Sequence, residues 1–262
     1  MPLLTFLSDF GSASPYPAAM KAVAASVAPQ AVLLDITHDV APGAVRDGAY
    51  LLWSVVPACP PGTVHCAVID PGVGTARAAL AITSGDQIFV GPDNGLLLPA
   101  ARRAGVPAVH RLTAPAWWRA PVSATFHGRD VFAPSAAHLA AGIPVSAVGA
   151  PVGSYVDLVF PTGGWDAGSL VGEVLWIDAF GNLITTIPGD LLARLPASTA
   201  VVVETPMGLL RARVATTFGD VGAGRGAVLV GSDGMVEVSV NRGSAATVLG
   251  AAIGRRLRIR PS

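Results

Sequence analysis

An α/β domain followed by an all-β domain is the architecture that this 262-residue sequence predicts. Three observations predict it. Strand and helix signals alternate through the first half, which implies a layered, mostly parallel sheet. From 149 to 168 the chain turns to Pro, Gly and isolated aromatics, the composition of a linker. Beyond it lie mostly short apolar segments separated by turn residues, the pattern of a small β-barrel or sandwich.

The elements follow in order. Residues 3–7 are a buried strand that stops at Ser8-Asp9-Phe10-Gly11. Residues 16–27 carry helical spacing, with Pro15 near the start, where proline is tolerated. A second strand covers 32–36, a second helix 45–56 and a third strand 63–69. Residues 79–83 and 87–90, joined across Ser84-Gly85-Asp86, read as a hairpin, and 131–141 as the last helix of this half. Strands are expected at 169–177, 183–187, 200–204, 208–214, 227–230, 235–240 and 256–260. The first domain is therefore placed at 1–158, the linker at 159–168 and the second domain at 169–262.

Composition narrows the function. Apolar residues make up 52% and charged residues 13%, which excludes a disordered chain. Seventeen basic residues balance seventeen acidic ones, so there is no field to hold nucleic acid or an anionic membrane. Lys21 is the only lysine. No signal-peptide pattern opens the chain and no uninterrupted apolar run of about 20 residues reads as a membrane span. Two cysteines are too few for a disulfide framework, so a soluble cytoplasmic protein is expected.

The most informative stretch is Val68-Ile69-Asp70-Pro71-Gly72-Val73-Gly74-Thr75-Ala76-Arg77. A β-branched run ends in an acid, then a Gly-rich loop, then an Arg. Strands of α/β sheets present chemistry where they end, and the glycines allow close backbone approach. Phe126-His127-Gly128-Arg129-Asp130 offers a second titratable loop. Spacing alone fits a capped turn and a surface His equally well. Asp9 and Asp35 also close strands, and alternate strand ends share one sheet edge. Asp9 beside Gly11 suits a carboxylate that accepts a ribose diol, or an Asx turn. Asp35, Thr37, His38 and Asp39 read as a metal site or as caps, with no ligand geometry visible in the spacing.

In the second half, Trp176-Ile177-Asp178-Ala179-Phe180-Gly181-Asn182 places an aromatic and an amide beside Gly, a combination that holds planar heterocycles. Val230-Gly231-Ser232-Asp233-Gly234 and Val240-Asn241-Arg242-Gly243 are further polar loops; each alone reads as a hairpin turn. Gly222-Ala223-Gly224-Arg225-Gly226 lacks the Lys and the strand-to-helix setting of a phosphate loop.

Taken together these motifs resemble those of the S-adenosyl-L-methionine hydrolases (adenosine-forming), or SAM hydroxide adenosyltransferases, relatives of fluorinase and chlorinase. The resemblance rests on Ser8-Asp9-Phe10-Gly11, Pro15-Tyr16 with Met20-Lys21, Asp35-Ile36-Thr37-His38 and Ile69 through Thr75 with Arg77. Pro92-Asp93-Asn94-Gly95, Thr125 through Phe132, Ile177-Asp178 with Phe180 through Leu183, Gly231-Ser232 and Val240-Asn241 complete it. It implies a C-terminal β-barrel rather than a sandwich, and a homotrimer whose ligand lies between one subunit's first domain and its neighbour's second. It also implies a catalytic Asp-Arg-His triad at Asp70, Arg77 and His127, with Asp9 on the ribose. Asp178 and Ser232 match the residues for the methionine end. Phe180 and Asn182 match the adenine pocket, joined by backbone near Arg242. No metal and no cofactor beyond the substrate is implied. One departure is Pro17-Ala18, where the family usually has Val-Gly. The halogenating relatives carry Tyr at the place of Asp70 and Ser at that of Gly128. A halide adenosyltransferase, a non-catalytic nucleoside-binding protein and a metal hydrolase built on Asp35, His38 and Asp39 are the competing readings.

Overall fold

Apolar runs of five or six residues can bury both faces only inside a layered sheet, and the first unit is built on that constraint. The computed structural model describes residues 1–195 and 199–262. It separates into two compact units, Met1–Val159 and Phe160–Ser262. The first contains β1 (Leu3–Ser8), α1 (Tyr16–Val27), β2 (Val32–Thr37), α2 (Val45–Val55), β3 (Val64–Val68), β4 (Ala79–Ser84) and β5 (Gln87–Pro92). It continues with α3 (Leu98–Ala104), β6 (Ala108–Arg111), α4 (Ala133–Ala140) and α5 (Val145–Val148).

The six strands lie in the order β2-β1-β3-β5-β4-β6. The β1–β2, β1–β3 and β3–β5 pairings are parallel, whereas β4 runs antiparallel to both β5 and β6. The sheet is thus mixed: the alternation implied a mostly parallel sheet, and that holds except at β4, which runs against its two neighbours. The two-residue turn between β4 and β5 reverses the chain and permits only antiparallel pairing. Leu4 and Phe6 face a core shared with Met20 and Ala24 of α1 and Ala133 and Ala136 of α4. On α2, a Cβ at Gly48 would collide with Ile69 Cδ1, so the missing side chain lets this helix lie close to the end of the β3 segment. The helix expected over 131–141 opens as a π-helical turn, Gly128–Phe132, that passes directly into α4.

The second unit contains β7 (Gly164–Asp166), β8 (Ser169–Ile177), β9 (Leu183–Pro188), β10 (Ala200–Glu204), β11 (Leu209–Val214), β12 (Gly226–Val230), β13 (Met235–Val240), α6 (Ala245–Leu249) and β14 (Arg256–Pro261). The strand order β14-β10-β11-β12-β13-β9-β8 closes on itself through β14–β8, giving a seven-stranded barrel with β7 appended beside β8. β11 shows why a barrel forms: Leu210, Ala212 and Val214 point inward while Arg211 and Arg213 remain in solvent. Two expectations need correction. Part of the segment 159–168, read as linker, is strand β7, because Gly164–Asp166 pairs with Ser169–Val171 across a tight turn. The unit is also not purely β: Ser244 caps α6 through its hydroxyl, which accepts from Thr247 N at 3.1 Å. Among the described residues, no helix is long and apolar enough to cross a membrane.

Candidate active site

β3 delivers Ile69 and Asp70 to the end of the sheet, and the following turn folds the chain back on itself. Asn94 fixes the strand end, its Nδ2 donating to Ile69 O at 2.7 Å. Asp70 O accepts from Val73 N, and Gly72 O accepts from both Thr75 N and Thr75 Oγ1. Gly74 has φ +77°, and a Cβ there would stand 2.6 Å from Ala124 O, so both its backbone and its space demand glycine. This turn returns Arg77 to Asp70. Nε donates to Oδ1 at 2.9 Å and to Oδ2 at 3.1 Å, and Nη2 donates to Oδ2 as well. Nη2 also donates to His127 Nδ1 at 2.8 Å, while the guanidinium lies 5.0 Å over the Phe132 ring.

Asp70, Arg77 and His127 therefore form one connected cluster. The carboxylate and guanidinium side chains are 5% and 12% exposed. A guanidinium nitrogen only donates, so Nδ1 of His127 accepts and the ring proton resides on Nε2. Burial, followed by the Arg77 charge, lowers the pKa of His127 below the usual imidazole value, against opposing pulls from Asp70 and Asp130. Arg77 and His127 also border a cleft of about 430 Å³ walled by Trp118 and Val122. Gly128 keeps this region tight: a Cβ would sit 3.1 Å from the Phe10 ring and 3.2 Å from Met20 Sδ.

Asp9 follows β1. Its Oδ2 accepts from Gly43 N at 2.8 Å, and Oδ1 has no hydrogen-bond partner among the described residues. Phe10, Tyr16 and Phe126 meet edge to face nearby, with centroids 5.1–6.0 Å apart. The acids considered for a metal are otherwise engaged. Lys21 Nζ donates to Asp35 Oδ2 at 2.7 Å, and His38 receives or donates a 2.7 Å bond with Ser8 Oγ. Asp39 accepts from Ser12 N and Ser12 Oγ. Among the described residues, no three His, Cys, Asp or Glu side chains converge as a metal site.

The second unit gathers Phe180, Asn182, Arg242 and Ser244 around a cleft of about 610 Å³. Asp178 shapes the loop beneath it: Oδ1 accepts from Phe180 N and Asn182 N, and Oδ2 accepts from Asn182 Nδ2, all within 2.9 Å. That turn leaves the Phe180 ring 78% exposed on the rim. Arg242 adopts a left-handed φ of +57°, and Asn241 Nδ2 is tied to Val221 O at 2.6 Å. Ser232 lies in the turn between Gly231 and Gly234 and does not line this cleft.

Sequence models of the SAM hydroxide adenosyltransferase N-terminal and C-terminal domains match residues 4–149 and 172–258. The chain belongs to this family. Similar SAM hydroxide adenosyltransferase relatives include the (R)-S-adenosyl-L-methionine hydrolase of Salinispora tropica, 46% identical and covering 98% of this chain and 97% of its own. The enzyme of the same name from Thermus thermophilus is 45% identical, covering 97% of this chain and 98% of its own. In structure, a crystal structure of an uncharacterized conserved protein from Thermotoga maritima superposes with a TM-score of 0.94. It is 38% identical and covers 98% of this chain and 99% of its own.

Within this family member, the structure brings Asp70, Arg77 and His127 into direct contact, and Phe180, Asn182 and Arg242 around one cleft. Two residues escaped the sequence reading. Phe218 forms a second aromatic wall of the cleft, in a turn held by the Thr217–Asp220 capping box. Its signal was available, since Thr217 and Asp220 stand at capping-box spacing. Glu237 is buried below the Ser232 turn, and burial, with Asp178 and Asp233 adding, raises its carboxyl pKa. It stands on the face of β13 opposite Val236 and Val238, and its burial there gave no sequence signal.

Proposed function

We propose that this protein hydrolyses S-adenosyl-L-methionine to adenosine and L-methionine, with Asp70, Arg77 and His127 acting on the attacking water. The observation that carries the reading is the cluster itself, in a chain nearly half identical to hydrolases of that name. Water oxygen forms a bond to C5′ of the ribose as the C5′–S bond breaks. The electron pair of that bond stays on sulfur, which leaves as the neutral thioether of methionine. One proton is released.

The chain's part in this is alignment and charge. Alignment of a nucleophile with its target contributes roughly 7–11 kcal/mol in well-oriented systems. A fixed positive charge about 4 Å from a developing hydroxide adds about 4 kcal/mol at an effective dielectric of 20, or about three pKa units. Arg77 supplies that charge. Because Arg77 occupies Nδ1 of His127, we assign His127 the role of donor through Nε2–H, orienting the water. Asp70 is then the first proton acceptor. The carboxylate of Asp70 also opposes a halide, which favours water over chloride as the nucleophile.

In this reading Asp9 accepts the ribose hydroxyls through its unpartnered oxygen, and Phe180 and Phe218 flank the adenine with Asn182 and the Arg242 backbone at its edge. Asp178 and Ser232 serve the methionine end, Asp178 through the loop it shapes. The active assembly is a homotrimer with ligand between one subunit's first domain and its neighbour's second. No cofactor enters the scheme. Free Cys59 and Cys66 suit a reducing compartment, and we place the enzyme in the cytoplasm.

The test incubates protein treated with a chelator with S-adenosyl-L-methionine at neutral pH and high chloride, and separates the products by chromatography. Adenosine and methionine in equal amounts, lost in Arg77→Ala, are expected. Chlorinated adenosine would move the protein to halide transfer, and tight binding without product would make it a ligand-binding protein.

A further inference from the structure

Asp130 is wholly buried, yet it is a charged residue three positions from His127, inside the π-helical turn that carries His127 into α4. Buried carboxylates are costly unless fully bonded, and this one is. Arg129 grips it from Nε at 2.7 Å and Nη2 at 2.9 Å, and Arg119 Nη1 reaches it at 3.2 Å. Ser123 N donates to Oδ2 at 2.9 Å. The backbone repeats the connection: Arg119 N donates to Asp130 O, and Asp130 N to Phe126 O.

These bonds have one common effect. They clamp the segment 119–126 to the turn that holds His127. The same segment carries Val122, and Trp118 directly precedes it; both wall the cleft against Arg77 and His127. Its Ala124 carbonyl packs on Gly74, in the turn that returns Arg77 to Asp70. One carboxylate thus ties the His127 turn to the wall opposite it and to the loop of the other two charged residues. It also faces His127 electrostatically. Arg77 and Asp70 act on the imidazole from the 70–77 loop, and Asp130 acts from the imidazole's own turn.

We propose that Asp130 is a positioning residue for hydrolysis, fixing His127 against Arg77 and closing the wall of their cleft. The inference rests on the triad reading above. Displacement of a reacting group by about 1 Å costs roughly 100-fold in rate, and a clamp that fails would permit such displacement. In this scheme neutral His127 is the active form, so turnover falls as pH drops through its pKa. Asp130 raises that pKa; removing its charge moves the acid limb to lower pH.

The experiment measures kcat and KM for S-adenosyl-L-methionine across pH for wild type, Asp130→Asn, Arg119→Gln and His127→Ala, with folding checked by circular dichroism. Asp130→Asn is expected to lose about 100-fold in kcat with KM changed only a few-fold, and to shift the acid limb downward. Arg119→Gln, on an exposed side chain, is expected to lose kcat to a smaller extent, without the downward shift of the acid limb, because it removes a positive charge and leaves that of Asp130. A folded Asp130→Asn enzyme with wild-type kcat and an unmoved acid limb overturns the proposal. If that variant fails to fold, a folded Arg119→Gln with wild-type kcat overturns it. Wild-type turnover in His127→Ala would instead reject the triad itself.

Discussion

At the scale of residues, geometry separates Arg77 from any other cation. Its fork meets both oxygens of Asp70 and a ring nitrogen of His127 at once. A lysine ammonium carries the same charge but cannot span that arrangement. Arg77→Lys should therefore reduce kcat by at least about 100-fold, with a smaller effect on KM. Steady-state kinetics on the folded variant checks this, and retention of more than a tenth of wild-type kcat would reject bidentate positioning. Asp70, Arg77 and His127 each sit in a loop with glycine, which marks them as candidates but fits a capped turn equally well; their grouping as a triad came with the family resemblance, not with the spacing. The connection between them was not legible. Fifty residues separate Arg77 from His127, and only the fold decides which way a guanidinium points. Asp178 shows the opposite limit: its motif was visible, but the bonds to its own turn were not, because capping and ligand binding use the same residue types.

At the scale of elements, strands were read well where apolar and β-branched residues dominate between turn signals, as for β1, β3 and β8. α3 went unread, since seven residues containing Pro99 offer too few turns for a period to emerge. The barrel's closure was equally hidden: alternation shows which side chains face inward, not whether β14 meets β8. The central strand β3 also carries a buried histidine with a consequence for stability. His65 Nδ1 bonds to Thr5 Oγ1 on β1 at 2.8 Å, and Nε2 bonds to Gln87 Oε1 on β5 at 2.9 Å. Gln87 Nε2 donates to Val56 O and Cys59 O, so its oxygen accepts from His65 Nε2–H. Burial lowers the His65 pKa to about 4, outweighing the upward pull of Gln87. The unfolded chain titrates at the ordinary value of about 6.5. The unfolded state thus binds the proton first, and stability present above pH 6.5 drains away as pH falls toward 4. The loss approaches about 3 kcal/mol for this one group. Denaturant melts of wild type and His65→Gln between pH 7 and 4 should diverge, with the variant less acid-sensitive. Parallel curves would show that His65 does not govern acid stability.

At the scale of the whole molecule, the proposed residues divide between two units, Asp9, Asp70, Arg77 and His127 in the first and Phe180, Asn182, Phe218 and Arg242 in the second. A trimer of the 26.4 kDa chain would have a mass of about 79 kDa. Light scattering coupled to size exclusion should return that value, and a 26 kDa species with full activity would reject the assembly. Net charge is zero, but the two kinds of positive group are far from equal: one lysine stands among seventeen basic residues. That lysine, Lys21, is held by Asp35 at 2.7 Å with a third of its side chain exposed. Amine-directed reagents therefore meet a single lysine side chain in this sequence, Lys21. Coupling to an activated ester resin or a fluorophore would address that one defined side chain, on an enzyme whose arginines remain unmarked.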